Sequence, residues 1–180
     1  TMVTNFTLTA EMVEAHLTPK TKILVVVNPS NPTGTVTPPD EVARIAAVAA
    51  AHDLLVISDE IYAQLTYGDA RVQPVASLPG MADRCVILYT FSKKFAMTGW
   101  RLGASIGPQP IIDIIAKLNV NDESCANHFI QYGAIEGLTG LDDAGWQPSG
   151  NTPVKRQAKI LIANGEPVTA TIYDRAAMPS

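Results

Sequence analysis

The sequence predicts an α/β protein, a mostly parallel sheet with covering helices, and three features carry that expectation. Short aliphatic, β-branched runs alternate with longer segments of helical spacing. Each apolar run empties at once into a polar loop, as the strands of a parallel sheet do at their carboxyl ends. The 180 residues, 47% of them apolar, suffice for one cored domain and are few for two.

In chain order, KILVVV (Lys22–Val27) is a β-branched run ending in Asn-Pro, which predicts a buried parallel strand entering a loop. In TPPDEVARIAAVAAAHD, Thr37 is the expected N-cap, Pro38 the first helical position and Asp40 a first-turn acid. The apolar residues after them keep helical spacing. LLVIS (Leu54–Ser58) and RCVILYT (Arg84–Thr90) predict a second and a third buried strand, and RLGASIG (Arg101–Gly107) is a candidate fourth. Pro110–Leu118 and the segment Ser124–Leu138 are predicted helices. Strand, helix, strand in this order implies a mostly parallel sheet with covering helices.

The C-terminal stretch differs in character. LDDAGWQPSGNTPVKRQ is rich in Gly, Pro and Asp and predicts loop. In Ala158–Asp174, Asn164-Gly165 stands between an apolar run and an alternating one, a hairpin signal, while Pro167 confines the second strand to an edge or a later start.

Composition excludes several function classes. The net charge of −4 comes from interspersed acids and bases, with no like-charge block to bind nucleic acid or an anionic membrane. The longest apolar stretches, around Ile23–Val27 and Ile45–Ala51, fall short of a bilayer span, and TMVTNFTLTA lacks the features of a leader, so a cytoplasmic protein is expected. Cys85 and Cys125 have no metal-ligand spacing and are expected to be buried free thiols.

Three polar clusters come directly after the predicted strands: NPSNPTG (Asn28–Gly34), SDEIY (Ser58–Tyr62) and TFSKK (Thr90–Lys94). Each alone has a plain structural explanation. Asn-Pro pairs form turns, an aspartate caps the next turn of the chain, and paired lysines lie on solvated faces. Gathered at the carboxyl edge of one sheet, where ligands of such folds collect, they build a single site.

NPSNPTG, SDEIY and FSKKFAMTGWRLG, in this order and approximate spacing, resemble the large domain of class I aminotransferases, fold-type I enzymes that use pyridoxal 5′-phosphate. The likeness is to the aspartate/aromatic aminotransferase branch, and it runs from about Met2 to Gly140. It implies a partial cofactor-binding large domain over residues 1–140 and an unassigned tail over 141–180. The implied activity is transfer of the amino group of an amino acid to a 2-oxo acid through a Lys93 aldimine, in a homodimeric enzyme. The cofactor's aldehyde requires an amine, and its pyridine ring requires a carboxylate to stay protonated as an electron sink. By the resemblance Lys93 is the Schiff-base lysine and Asp59 pairs with the pyridinium nitrogen. Tyr62 and Asn31 hydrogen-bond the ring's phenolic oxygen. Arg101 holds the phosphate as a bidentate fork, helped by hydroxyls at Thr90 and Ser92. Thr90 stands where serine is common in the family.

Two lysines compete for the central role. Lys93 comes after Thr-Phe-Ser and precedes Arg101 by eight positions, as the family's lysine does, whereas Lys94 precedes it by seven. On a short helix starting near Ser92, neighbours point about 100° apart, so one amine faces the cofactor and the other solvent. Once released, the Lys93 amine is expected to move the proton as general base and then acid.

The family's substrate-carboxylate arginine, its cofactor-stacking ring and its small-residue phosphate loop have no counterpart motif in these 180 residues, and neither Arg156 nor Arg175 has a supporting motif. The expectation is a portion of an enzyme, incomplete by itself. Two alternatives stand beside it: a non-catalytic remnant or interaction module that keeps the large-domain fold, and a pyridoxal-phosphate lyase of the same fold.

Overall fold

The computed structural model describes residues 6–139, 154–161 and 167–174. A four-stranded sheet forms its centre, from β1 (Ile23–Val27), β2 (Leu55–Asp59), β3 (Cys85–Thr90) and β4 (Gly103–Ile106), in the spatial order β1-β2-β3-β4. β1, β2 and β3 run parallel, in the register Val27↔Asp59 and Asp59↔Leu88. β4 returns antiparallel to β3, with Thr90 opposite Gly103. The link from β3 to β4 holds only short helical turns, too little for the crossover that a parallel partner requires. A mostly parallel α/β sheet is thus present, as the alternation of periods implied.

Helices α1 (Ala10–His16) and α2 (Pro39–Ala51) cover one face of the sheet. Between them and the sheet lies the core of Val26, Val42, Ile45, Ala49, Leu54, Val56, Met81 and Cys85, all buried. Burying each large aliphatic side chain contributes about 1.5–3 kcal/mol. The short α1 escaped the sequence reading because it is marginal in isolation. Its support is tertiary: Glu41 accepts from the Ala10 amide at 2.6 Å, and Arg44 bridges Glu41 and Glu11. Its N-cap Thr9 also accepts from the Met12 amide.

Several expectations are corrected. Thr37 does not cap α2; the cap position is Pro38, without a side-chain bond, and the prolines therefore sit one position earlier relative to the helix than predicted. Thr37 is instead buried, its amide donating to Asn28 Oδ1 at 3.0 Å. β1 is an edge strand rather than a buried one, with Ile23 and Val25 50% and 54% exposed. Of the cysteines, Cys85 is buried and Cys125 is exposed.

Beyond β4, α4 (Gln109–Asp122) runs longer than expected, and α5 (His128–Thr139) starts later. Ser124 adopts a left-handed φ of 64°, which keeps it out of a right-handed helix. A smaller cluster of Phe91, Ala134 and Leu138, with Tyr89, Phe95, Met97 and Leu102 against it, packs α5 onto the region after β3. The strands β5 (Val154–Leu161) and β6 (Pro167–Asp174) form a separate antiparallel pair, with Leu161 opposite Pro167. β5 begins inside the stretch that composition marked as loop. Pro167 occupies the first residue of its strand, where a missing N–H is tolerated. The Asn164-Gly165 turn lies outside the described residues.

Candidate functional site

Register brings the three polar clusters to one edge. Val27 pairs with Asp59 and Asp59 with Leu88, so the chain leaves β1, β2 and β3 on the same side of the sheet. The Asn28 amide donates to Asp59 O at 3.1 Å and the Glu60 amide to Leu88 O at 3.3 Å, which extends the ladder into the loops themselves.

The loop after β1 is tied back on itself. Ser30 donates to Thr35 O and Gly34 to Ser30 O, both at 2.8 Å, with Gly34 at φ 72°, a conformation that suits glycine. Asn28, 3% exposed, accepts from the Thr37 amide and fixes the base of this loop. Its Nδ2 is a buried donor without a partner among the described residues. Asn31 stands exposed on the loop, and both Asn-Pro bonds are cis.

Asp59 ends β2 half-buried, and its Oδ1 accepts from the Ile61 amide at 3.3 Å. Tyr62, also half-buried, belongs to the next turn. After β3, Thr90 caps α3 (Phe91–Lys94), accepting from the Ser92 amide at 3.1 Å and donating to Leu102 O at 3.3 Å. Its hydroxyl is thus engaged on both sides. Ser92 is buried, and its carbonyl accepts from Thr98 Oγ1 at 3.2 Å.

Lys93 Nζ lies 5.4 Å from the centroid of the Tyr62 ring, within range for attraction of a cation by the ring face. Lys94 Nζ turns instead to Phe95, 5.0 Å from its centroid. The two amines diverge as neighbours on a helix must, but Lys94 does not stand in solvent: it is half-buried, and burial lowers its pKa below the ordinary 10.5. Arg101 ends the turn Thr98–Trp100 in a left-handed conformation, φ 54°, exposed and donating to Thr98 O at 3.1 Å. The structure therefore joins Lys93 to Tyr62 beside the end of Asp59's strand, while Asn31 and Arg101 stand at exposed loop positions.

Two supports of this arrangement were missed in the sequence. The first is Gly133 and Gly137, one helical turn apart on α5. A Cβ at Gly133 would meet Trp100 at 3.5 Å, and one at Gly137 would meet Phe95 at 3.6 Å. The bare face of α5 thus seats two aromatic rings of the Lys93–Arg101 segment, and the four-residue glycine spacing was the available signal. The second is Glu60, adjacent to Asp59 within SDEIY, half-buried and accepting from the Ser58 hydroxyl at 2.8 Å.

A family model for aminotransferases of class I and II matches residues 2–143, a range that includes every strand and loop of this edge. The chain belongs to the class I and II aminotransferase family. A Bacillus subtilis protein named as an aminotransferase is 45% identical over 139 residues, 77% of this chain and 36% of that protein. An aspartate aminotransferase of Pyrococcus abyssi is 41% identical over 142 residues, 79% of this chain and 36% of that enzyme. Among solved structures, an aromatic aminotransferase of Pyrococcus horikoshii superposes with a TM-score of 0.72 at 41% identity, covering 74% of this chain and 36% of that one. This aminotransferase chain therefore spans about 36% of the length of the relatives it matches. β5 and β6 lie outside the matched range.

Proposed function

We propose that this chain is the cofactor-holding portion of a pyridoxal 5′-phosphate-dependent aminotransferase that moves the amino group of an amino acid to a 2-oxo acid. The observation that carries the reading is the Lys93 amine, 5.4 Å from the Tyr62 ring, on the helix after the strand next to Asp59's. An amine, a carboxylate, a phenol and a guanidinium at one sheet edge are the donor set that an aldehyde, a pyridine nitrogen, a phenolic oxygen and a phosphate require, so the residues fit the group.

When bound, the cofactor supplies an electron-withdrawing ring that makes the α-proton of an amino acid removable. Lys93 offers the amine that anchors the aldehyde carbon and, once released, would take the proton from the substrate's α-carbon as general base and deliver it, as general acid, to the former aldehyde carbon. Asp59 holds a proton on the ring nitrogen by charge. Tyr62 and Asn31 donate to the phenolic oxygen, and Arg101 clamps the phosphate with the N–H groups not spent on Thr98. Ser92 assists at the phosphate. With the Thr90 hydroxyl proton given to Leu102 O, we assign Thr90 first to capping α3 and to the phosphate only after rotation of that hydroxyl.

Residues 1–140 are thereby part of the cofactor-binding domain, and residues 141–180 receive no role. Homodimer formation, the family trait implied by the resemblance, belongs to the same proposal. The exposed apolar residues Ile114, Leu118 and Val120 on α4 and Phe129 and Tyr132 on α5 support burial in a larger assembly. Among the described residues no helix is long and apolar enough to cross a membrane. The test is an absorbance titration with pyridoxal phosphate. A saturable visible band, abolished by Lys93→Ala, is the expected result; no band in the wild-type chain would favour a non-catalytic module that keeps only the fold.

A further inference from the structure

Glu60 is a half-buried acid for which the proposed chemistry has no use. Along β2 successive side chains alternate between the two faces of the sheet. Ser58 and Glu60 share the face toward the core, and Asp59 takes the other. Ser58, 1% exposed, donates its Oγ–H to Glu60 Oε1 at 2.8 Å, a bond that closes across Asp59. Burial raises the Glu60 carboxyl above the ordinary 4.5; the Ser58 hydroxyl and the Val75 amide work against that rise, and the nearby charge of Asp59 adds to it. The other titratable neighbour is Cys85, on β3, whose thiol feels the Glu60 charge.

Taking a carboxyl out of water is costly, and packing alone would be served better by an apolar side chain. A directed donor whose bond closes across Asp59 gives it another use. We propose that Glu60 is a positioning residue: its bond to Ser58 clamps the start of the turn after β2 across Asp59, and so fixes from beneath the backbone that aims the Asp59 carboxylate. The clamp and the Asp59–Ile61 turn are one residue apart, so slack in the first becomes rotation in the second. Main-chain bonds complete the frame, Asn28 N–H to Asp59 O above and Glu60 N–H to Leu88 O beside it. The inference rests on reading Asp59 as the partner of the cofactor's ring nitrogen.

The experiment is amide hydrogen exchange on the 180-residue chain without cofactor, for the wild type, Glu60→Ala, Glu60→Gln and Ser58→Ala. The reporter is the Ile61 amide, which donates to Asp59 Oδ1, and the control is the Gly34 amide in the loop after β1. Glu60→Ala is expected to speed Ile61 exchange about tenfold relative to Gly34, the scale of one lost charge-assisted hydrogen bond. Glu60→Gln should fall between Glu60→Ala and the wild type, since its amide keeps one acceptor oxygen. If Glu60→Ala does not fold, the Gln and Ser58→Ala variants decide: faster Ile61 exchange in both supports the clamp. Unchanged Ile61 exchange in the folded variants overturns it, even where melting temperature falls. A parallel titration with pyridoxal phosphate separates the two readings, because a wild type that forms no adduct counts against the cofactor assignment while the Ile61 result still decides the clamp.

Discussion

The Lys93 amine sits over the Tyr62 ring, 5.4 Å from its centroid, and this contact joins the turn after β2 to the helix after β3. It also separates the two adjacent lysines, because Lys94 Nζ lies against Phe95 instead. Burial lowers the Lys94 pKa and so leaves that amine more often neutral and nucleophilic than an exposed lysine, yet it faces away from Tyr62. Position is therefore expected to prevail over reactivity. Incubation with pyridoxal phosphate, borohydride reduction and peptide mapping should place the phosphopyridoxyl group on Lys93. A label on Lys94 would show that the lowered pKa decides.

Asp59 should matter more to chemistry than to folding. It is half-buried and its carboxyl accepts one long hydrogen bond, from Ile61 at 3.3 Å, so Asp59→Asn is expected to cost less than about 1 kcal/mol in denaturant unfolding. In an enzyme that contains this segment, the same change should lower transamination roughly a hundredfold or more, the scale lost with one preorganised electrostatic partner. Asp59→Glu should retain part of the rate. Near-normal turnover in Asp59→Ala would remove the ring-nitrogen role.

The strands and the three loops were legible because apolar runs of parallel strands end abruptly in polar residues, at Asn28, at Asp59 and after Thr90. The hidden parts depend on tertiary partners. α1 is held by Glu41 and Arg44 from α2, and the exposure of Ile23 and Val25 results from β1 being an edge, which a β-branched run cannot announce. Thr37 carried a cap signal but spends its amide on Asn28, because the loop after β1 closes there. Within SDEIY the aspartate stood out and the glutamate beside it did not, since only the pleat reveals that the two carboxyls face opposite ways.

The two thiols should behave as opposites. Cys85 is 1% exposed and its pKa is pushed up to about 12, chiefly by burial and then by the Glu60 charge, whereas Cys125 is exposed. Only the thiolate is nucleophilic. At pH 8 a thiol reagent is expected to modify Cys125 in the native chain and both cysteines after denaturation, read by mass spectrometry of peptides. A thiol whose folded pKa is raised favours the folded state below its unfolded value near 9.0, and that contribution is lost as pH rises from there toward about 12. Cys85→Ala should therefore flatten the loss of stability on the alkaline side. Rapid native labelling of Cys85 would show that this core opens readily.

Two glycines should respond oppositely to alanine. At Gly103 a Cβ would stand 2.9 Å from the Tyr89 carbonyl oxygen, a backbone atom that cannot step aside without bending β3. Gly103→Ala is expected to destabilise by about 1–3 kcal/mol. At Gly137 the nearest atoms are Phe95 ring carbons at 3.6 Å, an ordinary contact, and the residue lies inside α5. Gly137→Ala should be neutral or stabilising by up to about 1 kcal/mol, through helix propensity. Gly137→Leu would unseat Phe95 and should weaken adduct formation at Lys93. Thermal melts of the three variants with cofactor titrations check the set, and a destabilising Gly137→Ala would mean that α5 packs more closely on Phe95 than these distances allow.

Residues 1–180 expressed alone should bind the cofactor and turn over slowly. The chain spans about 36% of the length of its relatives, and the proposed roles of Lys93, Asp59, Tyr62 and Arg101 anchor the cofactor and leave the substrate's α-carboxylate unheld. A substrate held by one end samples many orientations at the reacting carbon. Positioning accounts for about 7–11 kcal/mol of a typical barrier, so a missing carboxylate clamp lowers the rate by orders of magnitude even with proton transfer intact. The exposed Ile23 and Val25 on the edge strand, with Leu118, Val120 and Phe129 on the helices, should also drive self-association of the segment. The measurement is amino transfer from aspartate, glutamate, alanine and aromatic donors to 2-oxoglutarate at saturating cofactor, beside size-exclusion chromatography. The expected result is an adduct band, weak turnover and a broad elution profile. Fast turnover from a sharply eluting dimer would mean that these residues include a carboxylate clamp, and alanine replacement of Arg156 and of Arg175 would then be the next measurement.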